Sequence, residues 1–340
     1  MKKRALSVLT MAVMLLTLLP GLALAEDVSQ AHCSCVSLCT EGDIKFNCPV
    51  CGAVGADLST TCKPVQSDPE PDPEPTIRTV KAITTSLSFG SGTEDVSGDG
   101  YSWVKNTKTL TLSGIRLSAA DSRSTLTIEA GSTVEVAPGT VNEITNTSDG
   151  AGILITGSSE RAATFLGTGS LTVCSQGDGI VATGLCQIDI GGGVALTVTA
   201  GENGIYSLLD RVCIKDTAQV TVRAEAGNGI TCAFGGDQLS PATIPFAMSG
   251  SPVVEVYAGA DGIQAIDGVA VTGGTLTVSA AGNGIYSDYD AALENCVLHF
   301  PASGTGNGFV SEGDTVLQNV TVTAACGGTA LSANRTITMK

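Results

Sequence analysis

Apolar and polar residues alternate in short runs from about residue 108 onward. Leu110 and Leu112 sit between Thr109, Thr111 and Ser113, and Leu126 and Ile128 between Thr125, Thr127 and Glu129. A two-residue period is that of a strand with one buried face. Further along, the pattern settles into triplets with one polar residue between two apolar ones. Leu171-Thr172-Val173, Leu196-Thr197-Val198, Val220-Thr221-Val222, Val254-Glu255-Val256, Leu276-Thr277-Val278, Leu298-His299-Phe300 and Val320-Thr321-Val322 form one column. Ile188-Asp189-Ile190, Val212-Cys213-Ile214 and Val269-Ala270-Val271 form a looser one.

A third column is tied to turn residues. Asn or Asp, then Gly, then an apolar residue recurs as Asp178-Gly179-Ile180, Asn203-Gly204-Ile205, Asn228-Gly229-Ile230, Asp261-Gly262-Ile263, Asn283-Gly284-Ile285 and Asn307-Gly308-Phe309. Gly152-Ile153 precedes the set and a degenerate copy lies near Gly328. The Gly-to-Gly steps are 27, 25, 25, 33, 22, 24 and 20 residues. Three short strands in each such period predict one coil of a parallel β-helix, with coils stacked about 4.8 Å apart. One coil cannot bury its apolar side alone, so stacking must build the core. The Asn and Asp residues are expected at a turn of unusual φ, with side chains bonding to the copy in the next coil. The 33-residue step carries an insertion from Phe234 to Pro245.

The expected fold class is all-β: a right-handed parallel β-helix (solenoid) over 77–340, with a small Cys-rich head. Residues 1–25 read as a signal peptide, with Lys2, Lys3 and Arg4, an apolar run, and Ala23-Leu24-Ala25 as a small-x-small cleavage site. Export to the extracellular surface is the expectation, and integral membrane insertion is not. The head spans 26–67 and holds six of the twelve cysteines: Cys33, Cys35, Cys39, Cys48, Cys51 and Cys62. These pair as disulfides, or Cys48-Pro49-Val50-Cys51 and its neighbours hold zinc; either role is a structural staple. Residues 68–76 alternate Pro with Asp or Glu, a spacer in extended polyproline II form.

Charge narrows the partners. Without Lys2, Lys3 and Arg4 the chain has 14 basic and 33 acidic residues, a net charge of −19. Such a chain repels nucleic acid and anionic membranes.

Candidate chemistry is sparse. The outward residues of the Leu-Thr-Val column hold one acid, one His and no paired carboxylates: Glu255 and His299 fall two coils apart with Thr277 between them. The cluster Glu202, Asp210, Arg211, Lys215, Asp216, Arg223 and Glu225 reads as exposed ion pairs before it reads as a catalytic patch. Catalytic residues are therefore assigned to none. Counted from each repeat Gly, Asp267, Asp288, Asp290, Glu312 and Asp314 occupy one turn in three successive coils. Carboxylates that close repel one another, and calcium would relieve them. Tyr206 and Tyr286 follow the repeated Asn-Gly-Ile and point outward if Ile points in. With Tyr257 and Tyr289 they are the candidate sugar platforms.

The stretch Gly98-Asp99-Gly100-Tyr101-Ser102-Trp103, then Asn106-Thr107-Lys108-Thr109-Leu110-Thr111-Leu112, leading into Gly-Ile coils, resembles secreted β-helix proteins of Gram-positive anaerobes. These are described as carbohydrate-binding-domain-containing proteins and are akin to pectate-lyase-like solenoids. The head resembles an accessory segment found in them. The resemblance implies binding of acidic plant polysaccharide with calcium. The function expected is a secreted, non-catalytic polysaccharide-binding surface protein. The alternatives are a structural or adhesive cell-surface protein, with end-to-end or cell-wall protein contacts, and a polysaccharide lyase or glycosidase.

Overall fold

The computed structural model describes residues 82–157, 161–232, 245–301 and 304–340, all within one compact unit, Thr79–Lys340. The signal segment, the Cys-rich head with its six cysteines, the acidic Pro spacer and residues 234–244 of the insertion lie outside the described residues.

The described chain is a parallel β-helix with three faces and no α-helix. The first face stacks ten strands: Leu87–Phe89, Ser124–Glu129, Ala151–Thr156, Ile180–Ala182, Ile205–Ser207, Ile230–Cys232, Ile263–Ala265, Ile285–Ser287, Phe309–Ser311 and Leu331–Ala333. The second face includes Thr133–Val136, Ala163–Gly167, Ile188–Ile190, Val212–Ile214, Ala291–Glu294, Thr315–Gln318 and Ile337–Met339. The third includes Val141–Asn146, Ser170–Ser175, Ala195–Ala200, Gln219–Ala224, Val297–Phe300 and Thr321–Ala324. In two coils the second and third faces share one long strand, Phe246–Ala258 and Val269–Ala280. Gly250, Gly273 and Gly274 turn these strands at the corner with positive φ.

Register explains why the apolar columns recur. Ile180, Ile205, Ile230, Ile263, Ile285 and Phe309 are successive partners on the first face and all are fully buried. Leu171, Leu196, Val220, Val254, Leu276 and Leu298 do the same on the third. Each such side chain stabilises the rod by roughly 1.5–3 kcal/mol relative to exposure. They merge into one core cluster running along the axis.

The strands that follow Leu87–Phe89 depart from the coil pattern. Val96–Gly98, Tyr101–Val104 and Thr109–Leu112 form an antiparallel meander whose last strand runs parallel to Thr133–Val136. The single Trp of the chain, Trp103, is buried there and stacks on Phe89 at 5.5 Å, and its indole N–H donates to the Thr93 carbonyl at 3.2 Å. This packs aromatic side chains against the first coils of the core.

The Asx-Gly column departs from expectation in one respect. Among the described residues, those other than Gly with positive φ are Lys108, Asp216, Asn295 and Asn319, and none belongs to the repeat. Close stacking, not an unusual φ, demands the glycine. A Cβ on Gly204 would overlap Val222 Cγ1 and the Gly229 carbonyl of the next coil. The side chains do bond from coil to coil. Asp178 Oδ1 accepts from Asn203 N at 2.9 Å, Asn203 Oδ1 from Asn228 N at 3.1 Å, and Asn228 Oδ1 from Asp261 N at 3.0 Å. Asp261, Asn283 and Asn307 continue to Asn283 N, Asn307 N and Thr329 N at 2.6, 3.2 and 2.8 Å. Six rungs thus form an Asx ladder along the first face.

Candidate binding strip on the first face

Between two inward residues, each first-face strand turns one residue outward. Because the strands are in register, these residues form a straight file: Leu154, Val181, Tyr206, Thr231, Gln264, Tyr286 and Val310. Leu154 and Val181 are buried although they stand outside the core. With Ala151 they make a small apolar cluster, and Tyr206 packs against it. Thr231 and Gln264 follow as polar groups, then Tyr286. From Leu154 to Tyr286 the file crosses five coil steps, about 24 Å.

The Asx ladder borders one side of the file and supports it. Asn228 Nδ2 donates to Thr231 Oγ1 at 3.1 Å and to Gln264 Oε1 at 2.8 Å. The polar middle of the strip is therefore held by a residue whose own Oδ1 is a ladder rung.

The acidic turn borders the other side. The five acids do share one turn, as their offsets from the repeat Gly predict, but they divide into three columns. Asp288 N and Glu312 N donate to equivalent carbonyls, those of Ala265 and Ser287, and so stand one above the other. Asp290 and Asp314 form a second column with its own ladder. Asp290 Oδ1 accepts from Asp314 N at 2.8 Å, and Asp314 Oδ1 from Thr336 N at 3.0 Å. Asp267 stands in a column of its own. Two of the five carboxylates are thus engaged by backbone N–H groups, and Glu312 also accepts from Asn334 Nδ2.

Asp288 and Glu312 face the strip. The Tyr286 hydroxyl donates to Asp288, with Glu312 also in reach. That hydrogen bond, followed by burial and the charges of Asp288 and Glu312, pushes the phenol up to about 12. Burial, and then the charge of Asp288, raises Asp267 above the ordinary carboxylate range. Among the described residues, no three His, Cys, Asp or Glu side chains form a group placed to hold a metal ion.

Of the four tyrosines singled out in the sequence, only Tyr206 and Tyr286 share the strip, three coil steps apart. Tyr257 lies on the third face. Arg223 stacks over its ring at 4.0 Å, and its hydroxyl donates to Glu255 at 3.3 Å. Tyr289 is exposed in the acidic turn, and its carbonyl accepts from Ser287 and Ser311.

The charged cluster from Glu202 to Glu225 is split between faces. Lys215 pairs with Asp189 on the second face at 2.6 Å. Gln187 donates to the same carboxylate and accepts from Arg211 Nε. Asp210 adjoins the network, its Oδ1 accepting from Arg211 N at 2.8 Å. Beside it, burial and the Asp189 charge push the Cys213 thiol up to about 11, so it stays protonated at neutral pH. Glu255 and His299 are separated by Thr277, as their positions in the sequence require.

A family described as carbohydrate-binding domain-containing protein matches residues 99–340, more than half of the chain. The chain belongs to this family. No curated protein matches it, and no solved structure does. The region shared with the carbohydrate-binding domain family contains the whole strip from Leu154 to Val310, its ladder and its acidic turn. Among the described residues no helix is long and apolar enough to cross a membrane.

Proposed function

We propose that the protein is an exported, non-catalytic polysaccharide-binding rod whose first face carries the binding strip. The observation that carries this reading is the single file from Leu154 to Tyr286, set on rigid stacked strands within the matched family region. A sugar chain presents apolar C–H faces and hydroxyl edges in alternation. Tyr206, backed by Leu154 and Val181, offers an apolar platform for the first. Gln264 offers an amide for the second, while Thr231 is buried beneath the strip and anchors Asn228. Asp288 and Glu312 accept hydrogen bonds from sugar hydroxyls, and bonds to ionised acceptors are the stronger kind. Because the strip spans several coils, neighbouring sugar units bind at once and the individual contacts can be weak.

Calcium assistance belongs to the same proposal. Asp288 and Glu312 would supply two carboxylates, and a uronate of the ligand would complete the oxygen shell. Calorimetric titration with calcium, with and without a pectic polymer, tests this. Absence of heat in both arms, together with unchanged binding by Asp288→Asn, ends the calcium part alone.

The binding reading is tested by affinity electrophoresis against a panel of neutral and acidic polysaccharides. Tyr206→Ala and Tyr286→Ala should each weaken retention about tenfold, a loss of 1.4 kcal/mol within the range of one aromatic contact. Tyr257→Ala should leave it unchanged. Retention of no polymer would favour a structural or adhesive role. Release of new reducing ends or unsaturated products would favour an enzyme.

A further inference from the structure

The repeat places glycine after Asn or Asp six times on the ladder, at residues 178–179, 203–204, 228–229, 261–262, 283–284 and 307–308. Each half of the dipeptide has its own structural reason. The glycine is fixed by coil stacking: a Cβ at Gly179, Gly204, Gly229 or Gly262 would overlap a third-face valine Cγ1 and the carbonyl of the next coil's repeat glycine. The Asn or Asp is fixed by the rung it makes. Yet Asx-Gly is chemically labile, because nothing on glycine hinders attack of its backbone nitrogen on the preceding side chain.

The ladder occupies both reacting groups. The nucleophile is the glycine N–H, and Gly179, Gly204, Gly229, Gly262, Gly284 and Gly308 all donate it to a carbonyl of the neighbouring coil at 2.8–3.1 Å. The electrophile is Cγ of the Asn or Asp, whose Oδ1 accepts an N–H from that same neighbouring coil. Attack requires the glycine nitrogen to leave its acceptor and the side chain to swing back over its own backbone. Both hydrogen bonds must break, and both belong to one coil-to-coil contact.

We propose that the six Asx-Gly dipeptides of the ladder are latent modification sites which the wound rod keeps closed, so that isoaspartate accumulates at these six only in chains whose coils have opened. In the open state the glycine nitrogen forms a bond to Cγ. At Asn the Cγ–Nδ2 bond breaks and ammonia leaves, carrying the proton lost by the glycine nitrogen; at Asp water leaves instead. Water then adds to either carbonyl of the succinimide and gives Asp or isoaspartate. Water is the sole co-reactant. The rate in the folded chain is the rate in the open chain multiplied by the fraction of time the local coil is open.

The experiment follows Asn203, Asn228, Asn283 and Asn307 in the full chain by peptide mass mapping and enzymatic methylation of isoaspartate. It is run at mildly alkaline pH with and without denaturant. Deamidation at all four should be at least about tenfold slower in the folded chain, the ratio set by a local opening free energy of about 1.4 kcal/mol or more. Equal rates in the two states overturn the proposal. Thr329→Pro separates the rung from general burial, since it removes the N–H that Asn307 Oδ1 accepts. Asn307 should then speed up while the other three stay slow. If all four stay slow, the rung is not the protecting element and the proposal falls. Should all four speed up with loss of the β signal in circular dichroism, unwinding has opened them, as the proposal requires. If all four speed up with that signal intact, the proposal is overturned.

Discussion

Asn228 Nδ2 lies 2.8 Å from Gln264 Oε1 across a coil boundary, while Oδ1 of the same Asn228 accepts from Asp261 N at 3.0 Å. One side chain therefore joins the ladder to the middle of the outer file. Asn228→Ala should destabilise the rod by about 1–3 kcal/mol, because it leaves a buried or half-buried N–H without its acceptor. Asn228→Asp keeps that acceptor but loses both donated bonds, to Thr231 and Gln264. It should unfold closer to the parent while still weakening polysaccharide retention. Denaturant unfolding and affinity electrophoresis on the two variants check the split between stability and binding.

Gly204→Ala tests whether stacking dictates the repeat glycine. The new methyl would overlap Val222 Cγ1 and the Gly229 carbonyl. The expected loss is about 1–3 kcal/mol, the usual range for overpacking. Gly92→Ala is the control, since a Cβ there meets nothing within 4 Å. Thermal unfolding of both variants should show a lower midpoint for the first only.

Two carboxylates predict opposite pH effects. Glu129 is held below its ordinary range chiefly by the hydrogen bond from Ser91 N, with Lys108 helping. Its contribution is complete above the unfolded-state value and fades as pH falls through the lower folded value. Glu129→Gln should thus cost stability at neutral pH, with the difference from the parent closing in acid. Asp267 is raised by burial and then by Asp288, so its ionised form disfavours folding. Asp267→Asn should raise the thermal midpoint at neutral pH, and that gain should shrink as pH falls below the raised folded value and be gone below the ordinary unfolded one.

The thiol of Cys213 should resist alkylation at neutral pH. Burial, and next the charge of Asp189, lifts it to about 11. Iodoacetamide labelling followed by mass mapping should rise steeply only as pH approaches that value. Fast labelling of Cys213 at neutral pH would contradict the protonated state described above.

Much of the rod was legible because its period is long and its inward residues are nearly uniform. Ile180, Ile205, Ile230, Ile263 and Ile285 mark one position of successive coils in the sequence, and the register pairs them. The outward placement of Tyr206 and Tyr286 follows from that alone. The second face was harder to read, since its partners Phe246, Val269, Ala291 and Thr315 share no side-chain type. The antiparallel start was not legible either. Its pairing rests on the Gly98-Asp99-Gly100-Tyr101 turn, where Gly100 has φ +77, and no repeat announces it. The offsets placed all five acids on one turn. They could not show that Asp290 and Asp314 are bonded to backbone N–H groups, because those donors belong to the next coil. Asp189 escaped notice as the partner of Lys215 for a similar reason: 26 residues separate them in the chain, and one coil boundary in space.

The steps between repeat glycines range from 20 to 33 residues. Across the longest of them, Ile230 still pairs with Ile263, Val212 with Phe246, and Gln219 with Val253. Length variation is absorbed at the corners and does not dephase the strands. A corner can therefore gain or lose residues while its neighbours keep their partners. Recognition and scaffold are free to evolve separately in such a molecule, the one by grafting at the bends and the other by keeping its cadence.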